Sequence, residues 1–265
     1  MMSENKDNDG EIHHFDLGID HLDSGNIPEA IHAFLKAAGI NPEDARVFSN
    51  LGIAYELAGD YENARAAYGR AIELNPKSVS ALNNLAGLTH RLGDRNMAAL
   101  LYESAIASDP RYIEPYINIA RMFMGIGAFA MAEPYVRKIL EIAPENTEAF
   151  NLLGIIESIT ERTDEAVVHF QEAVHRDGNQ ASFFSNLGAA LRGEGDLRRA
   201  VIAFERAAEI SPNSLSVMNN LGVLYRETGD PERAEQCLRR AADFYPDNPF
   251  PYFNLAELYI SRGDY

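Results

Sequence analysis

Apolar residues recur along this chain at helical spacing, and the helical stretches themselves return every 34 residues. In residues 45–78, Phe48, Leu51, Gly52 and Tyr55 follow the three-and-four spacing of one buried helix face. Gly59-Asp60 interrupts that run, Ala64, Tyr68 and Ala71 resume it, and Asn75-Pro76 ends it. The pattern predicts a helical hairpin. Gly59 can take the left-handed conformation that closes a first helix, and Asp60 can cap the second by accepting a hydrogen bond from a free amide. The pair returns as Gly93-Asp94, Gly195-Asp196, Gly229-Asp230 and Gly263-Asp264, with Gly25-Asn26 as a variant. Pro231 follows one such cap, where its missing N–H costs nothing.

Columns 34 residues apart give the packing. Ala30, Ala64, Ala98, Ala132, Ala166, Ala200 and Ala234 share one column, and Gly18, Gly52, Ala86, Ala120, Gly154, Gly188, Gly222 and Ala256 another. A third holds Phe34, Tyr68, Tyr102, Val136, Phe170, Phe204 and Leu238. Helices approach to roughly 8–10 Å where small side chains sit at the contact, with large residues of the facing helix filling the space beside them. One hairpin cannot bury its own apolar faces, so neighbouring blocks must stack into a solenoid. The chain thereby divides into a polar leader, residues 1–10, which reads as disordered. Seven full blocks follow (11–44, 45–78, 79–112, 113–146, 147–180, 181–214 and 215–248), then a partial one, 249–265.

These columns resemble the tetratricopeptide repeat, whose signature runs W-x2-L-G-x2-Y, A-x3-F and P on a 34-residue period. The second block matches with Phe48 for the tryptophan, then Leu51-Gly52, Tyr55, Ala64, Tyr68 and Pro76. The resemblance implies an all-α fold, a right-handed superhelical solenoid in which the first helix of each block lines a concave groove. It also implies binding of protein or peptide. The family's carboxylate clamp, which docks chaperone C-termini, is not matched. It needs lysine at a block's fifth position and asparagine at its ninth, and no block has either.

Stepping roughly 100° per residue along the first helix puts positions 4, 7, 8 and 11 on a core arc and positions 2, 5, 6, 9, 12 and 13 on the opposite one. The resemblance makes that opposite face the groove wall. Its sixth position is asparagine in Asn50, Asn84, Asn118, Asn186, Asn220 and Asn254, six of the 20 asparagines in the chain. Each amide offers one acceptor and two donors, matching the C=O and N–H of an extended peptide. The column is similar to the asparagine ladder of the O-linked N-acetylglucosamine transferase superhelix. Six neutral hydrogen bonds at about 0.5–1.5 kcal/mol each would contribute roughly 3–9 kcal/mol against an association cost of about 4–15, so side-chain pockets must add affinity. Candidates on the same face are Ile53, Ile155 and Val223, with Arg91, Arg121, Arg192 and Arg226 as anchors for an acidic or phosphorylated ligand. Glu56, Glu114, Glu148, Glu227 and Glu257 share that face.

Blocks four and five depart from the pattern. Leu152 takes the ladder column, Glu157 an aromatic column, Glu161 the turn glycine and Gly178 the proline. Pro134 should make its helix start late or bend. In the last helix Leu258 and Ile260 are apolar, which points to a fragment of a longer protein or to packing on another molecule, self-association included.

Composition narrows the function. Lys+Arg number 23 against 40 Asp+Glu, a net charge of −17, which repels nucleic acid. The single cysteine, Cys237, excludes an internal disulfide and a multi-cysteine metal site. No phosphate-binding glycine loop, nucleophile motif or cofactor signature occurs. No apolar run approaches the roughly 18 residues of a membrane span, and no secretory signal opens the chain. The expectation is a cytoplasmic, non-catalytic scaffold or adaptor that holds an extended protein segment, periplasmic if an export signal was removed. The alternatives are the docking arm of a larger enzyme, such as a glycosyltransferase continuing past Tyr265, and a self-assembling scaffold.

Overall fold

A computed structural model describes the backbone of residues 2–263 and the side chains of residues 13–263. Among the described residues the fold is an all-α solenoid of helical hairpins. The helices are α1 (Met2–Asp23), α2 (Ile27–Ile40), α3 (Ala45–Leu57), α4 (Tyr61–Leu74), α5 (Val79–Arg91), α6 (Arg95–Ser108), α7 (Glu114–Gly125) and α8 (Phe129–Ile142). They continue as α9 (Thr147–Ile159), α10 (Thr163–Arg176), α11 (Ala181–Gly193), α12 (Leu197–Ile210), α13 (Leu215–Glu227), α14 (Pro231–Phe244) and α15 (Pro249–Arg262). No described helix is long and apolar enough to cross a membrane.

The chain divides into two compact units, residues 1–135 and 136–265, with the boundary one residue after Pro134. A solenoid has no single core because each hairpin touches only its neighbours. In the first unit α1, α3 and α5 each pack on the helix that follows them, and adjacent odd-numbered helices also touch. In the second unit α9, α11 and α13 pair with α10, α12 and α14, and α9 meets α11 as α13 meets α15. Phe170, Leu187, Phe204, Leu221, Leu238 and Leu258 belong to one continuous apolar cluster in that unit.

The turns follow from local chemistry. Gly59 sits at φ 78°, a conformation in which a β-carbon would crowd the following carbonyl. Asp60 accepts a hydrogen bond from the Asn63 amide at 3.2 Å, and Asp94, Asp196 and Asp230 do the same for the amides three residues on, at 3.0–3.1 Å. Asp264, the last of the expected caps, lies outside the described residues. In block five Glu161 occupies the turn at φ 62°, the one described non-glycine residue with positive φ. Glu161→Gly should therefore stabilise the protein by ~0.5–1 kcal/mol, read as a raised urea midpoint at unchanged slope.

The backbone of α1 runs from Met2 to Asp23. The side chains of residues 1–12 lie outside the described residues. The helix bearing Pro134 does not start late. It begins at Phe129, 16 residues into its block, as α4 and α6 begin at Tyr61 and Arg95 in theirs. Leu258 is not a free apolar surface: it is fully buried in the second unit's core, whereas Ile260 is 61% exposed.

Candidate asparagine face

The helices that carry the asparagine column lie side by side within each unit, which brings successive amides into reach. The ladder pairs across blocks with asparagines one position earlier. Asn118 Nδ2 donates to Asn83 Oδ1 at 3.0 Å, Asn186 Nδ2 to Asn151 Oδ1 at 2.8 Å, and Asn254 Nδ2 to Asn219 Oδ1 at 3.3 Å. Asn83 Nδ2 in turn reaches Asn84 Oδ1 at 3.4 Å, and Asn50 Nδ2 donates to the Arg46 carbonyl at 2.9 Å. Asn220 is exposed and has no hydrogen-bond partner among the described residues.

Such pairing fixes which end of each amide faces where. The sixth-position asparagine keeps its carbonyl oxygen and one N–H. Its fifth-position partner keeps both N–H groups in Asn151 and Asn219, and one in Asn83, whose other N–H reaches Asn84. Each pair thus offers a donor and an acceptor side by side. The partners Asn83, Asn151 and Asn219 were not among the expected site residues. Their signal is a 68-residue spacing, asparagine at the fifth position of the third, fifth and seventh blocks.

Two open recesses lie against this face, at equivalent places in the two units. In the first unit Ile53, Glu56, Asn84, Asn118, Arg91 and Tyr102 contribute to a recess of about 360 Å³. In the second, Ile155, Ile159, Phe170, Asn186, Ala189 and Gly193 contribute to one of about 290 Å³. Gly193 stands where Arg91 stands, and Phe170 where Tyr68 stands, so the first recess is the more polar of the two. In the first, the Glu56 carboxylate accepts the Tyr68 hydroxyl at 2.9 Å and pairs with Arg91 at 3.0 Å. Burial, reinforced by that carboxylate, holds the Tyr68 hydroxyl far above the usual phenol range. The Tyr102 hydroxyl is pushed up to about 12, by burial first and Glu56 second. Both stay protonated donors.

Each of the expected arginine anchors has a partner within the chain. Arg91 pairs with Glu56, Arg192 Nε donates to Glu227 at 2.8 Å, and Arg226 pairs with Glu257. Arg121 also has an intramolecular partner. A glutamate neutralises the guanidinium group of Arg91, Arg192 and Arg226. Ile53 and Ile155 join the recesses, while Val223 is half-buried in α13.

One buried group lies off this face. Glu157, fully buried in α9, accepts from or donates to His169 Nδ1 at 2.6 Å on Oε2, while Oε1 lies 3.7 Å from Arg137 and makes no hydrogen bond. Its column elsewhere holds His21, Tyr55, Thr89, Phe123, Leu191, Tyr225 and Tyr259, so a carboxylate stands where mostly aromatic and uncharged side chains fill the seam.

Comparison with known proteins places these features in a family. Its description, tetratricopeptide repeat, matches residues 15–78, 58–113, 113–146 and 179–247. No curated protein matches the chain. Among solved structures, PilF of Pseudomonas aeruginosa is 21% identical over 82% of this chain and 98% of its own, with a TM-score of 0.70. A chain of the APC/C hetero-tetramer Cut9–Hcn1 is 19% identical with a TM-score of 0.69; the match covers 88% of this chain but 48% of that one, so this chain spans about half its length. YrrB, described as a TPR protein with an unusual peptide-binding site, is 22% identical over 72% of this chain and 98% of its own, with a TM-score of 0.58. At these identities the likeness establishes the fold. With the repeat description matched from residue 15 to residue 146 and again from 179 to 247, the chain belongs to the tetratricopeptide repeat family.

Proposed function

We propose that the asparagine face holds an extended segment of another protein, and that the chain works as a non-catalytic interaction scaffold. The supporting observation is the set of oriented amide pairs, Asn83–Asn118, Asn151–Asn186 and Asn219–Asn254. A donor and an acceptor held side by side match one residue of an extended backbone, whose N–H and C=O are unpaired; a helix has already satisfied its own. The repeat fold supports protein interaction in general, and YrrB, of like fold, has a peptide-binding site. The internal pairing of Arg91, Arg192 and Arg226, together with the net charge of −17, favours a neutral or basic segment over an acidic one.

Removing three ladder amides at once tests this reading. With Asn84, Asn118 and Asn186 changed to alanine, partner recovery on the immobilised chain should fall at least tenfold, with helicity and urea midpoint close to those of the native chain. Three lost hydrogen bonds at about 0.5–1.5 kcal/mol each correspond to such a loss. Recovery of every partner at native levels would remove the asparagine face from the binding surface.

A further inference from the structure

The asparagine face changes character at α15. In α11 its second, fifth and twelfth positions are Ser182, Ser185 and Arg192, and in α13 they are Ser216, Asn219 and Arg226. In α15 the same positions are Phe250, Phe253 and Ile260. These three are 65%, 61% and 61% exposed, more than the other large apolar side chains of this helix. Their spacing places them within roughly 80° of one another on the helix surface, on the side that carries Asn254 and away from buried Leu255. Scattered exposed apolar residues are ordinary; three in one stripe, at positions that are polar in the two preceding equivalent helices, are not.

Next to the stripe stand the Asn219–Asn254 amide pair and the Arg226–Glu257 ion pair. The ion pair leaves no net charge there. The amide pair leaves a backbone-sized donor and acceptor beside the aromatic surface. Residues 136–265 carry 13 basic against 21 acidic residues, a net of −8, so a segment with basic or neutral flanks is drawn in and an acidic one repelled.

We infer that the α15 stripe is the anchor of the binding face: Phe250, Phe253 and Ile260 receive large apolar side chains of a partner segment whose extended backbone is held by Asn219 and Asn254. This inference rests on the proposed function and deepens it, because it names the side-chain class of the ligand and the helix of the face where it docks. An extended segment presents every second side chain to the same surface, so alternation of apolar and polar residues is the matching sequence pattern. Burial of two or three aromatic side chains supplies the affinity that backbone hydrogen bonds alone do not.

The test uses the full chain, isotope-labelled, with two capped hexapeptides as probes: alternating Phe-Ser and all-Ser. The alternating peptide should shift the amide resonances of Phe250, Phe253 and Ile260 and the side-chain amides of Asn219 and Asn254, saturably, while the all-Ser peptide should not. A chain with Phe250→Ser and Phe253→Asn, residue types that α13 carries at these positions, should bind at least tenfold more weakly. Asn254→Ala should weaken binding by a smaller factor, about threefold. Both variants alter groups outside the buried core, and an unchanged spectrum elsewhere verifies the fold. Shifts at Asn151, Asn186 and the Ile155 recess with α15 silent would overturn the inference and leave the proposed function standing. Silence at every asparagine pair would count against both. Self-association of the native chain that is abolished by the Phe250→Ser, Phe253→Asn change, with no response to the alternating peptide, would assign the stripe to a second copy and overturn the inference as well.

Discussion

Glu157→Leu should stabilise the second unit by about 1–3 kcal/mol, while His169→Ala should destabilise it by about 2–4 kcal/mol. Both numbers come from one observation: a carboxylate that is fully buried, has one oxygen bonded to His169 and leaves the other without a hydrogen bond. A buried carboxylate loses to a well-packed hydrophobic replacement where its desolvation costs more than its partners return. Leucine is already the residue of this column in the next block, as Leu191, so the volume is tolerated there. Removing Glu157 strands little, since the His169 side chain is 23% exposed and that of Arg137 49% exposed, and both can reach water. Removing His169 does the reverse. It leaves the carboxylate buried without its hydrogen-bond partner, with the Arg137 guanidinium 3.7 Å away, and it deletes the ring that stacks on Phe150 at 6.1 Å between centroids. Urea denaturation of the two single variants decides the matter. Equal signs for the two changes would mean that the pair contributes to stability as a unit, contrary to this account.

Gly188→Val should cost about 2–3 kcal/mol or more. An ideal β-carbon on Gly188 would lie 2.7 Å from the Phe204 ring, and Phe204 is itself buried to 1% exposure, so the ring has no free direction in which to swing. Valine would also bring two methyl groups into the seam. The effect is local and reciprocal: Phe204→Ala alone should cost about 3–5 kcal/mol through the cavity it opens. The double variant should lose clearly less than the sum, because the valine methyls fill part of that cavity, with a coupling of at least about 1 kcal/mol. Simple additivity would show that the glycine and aromatic columns do not pack as partners. The same contact recurs at 2.5–2.7 Å between Gly52 and Tyr68, Gly154 and Phe170, and Gly222 and Leu238, so the result extends along each unit.

The repeat period, the two helices per block, the closing glycines and the capping aspartates are decided within a few residues of chain. Apolar spacing fixes which face of a helix is buried, and a Gly-Asp pair fixes where one helix ends and the next begins, so both are legible without a fold. The face that carries Asn84, Asn118 and Asn186 is legible for the same reason, since it lies opposite the core arc. What those amides do there depends on residues about 35 positions away. Asn118 meets Asn83, Arg192 meets Glu227 and Arg226 meets Glu257 because stacking sets neighbouring helices alongside one another, and no local rule states which cross-block neighbours come within hydrogen-bond reach. Tertiary structure therefore turned a column of single asparagines into oriented pairs and gave Arg91, Arg192 and Arg226 glutamate partners. It also separated Leu258 from Ile260, two apolar residues two positions apart: the helix turns by roughly 200° between them, so one fell into the core and the other onto the open face.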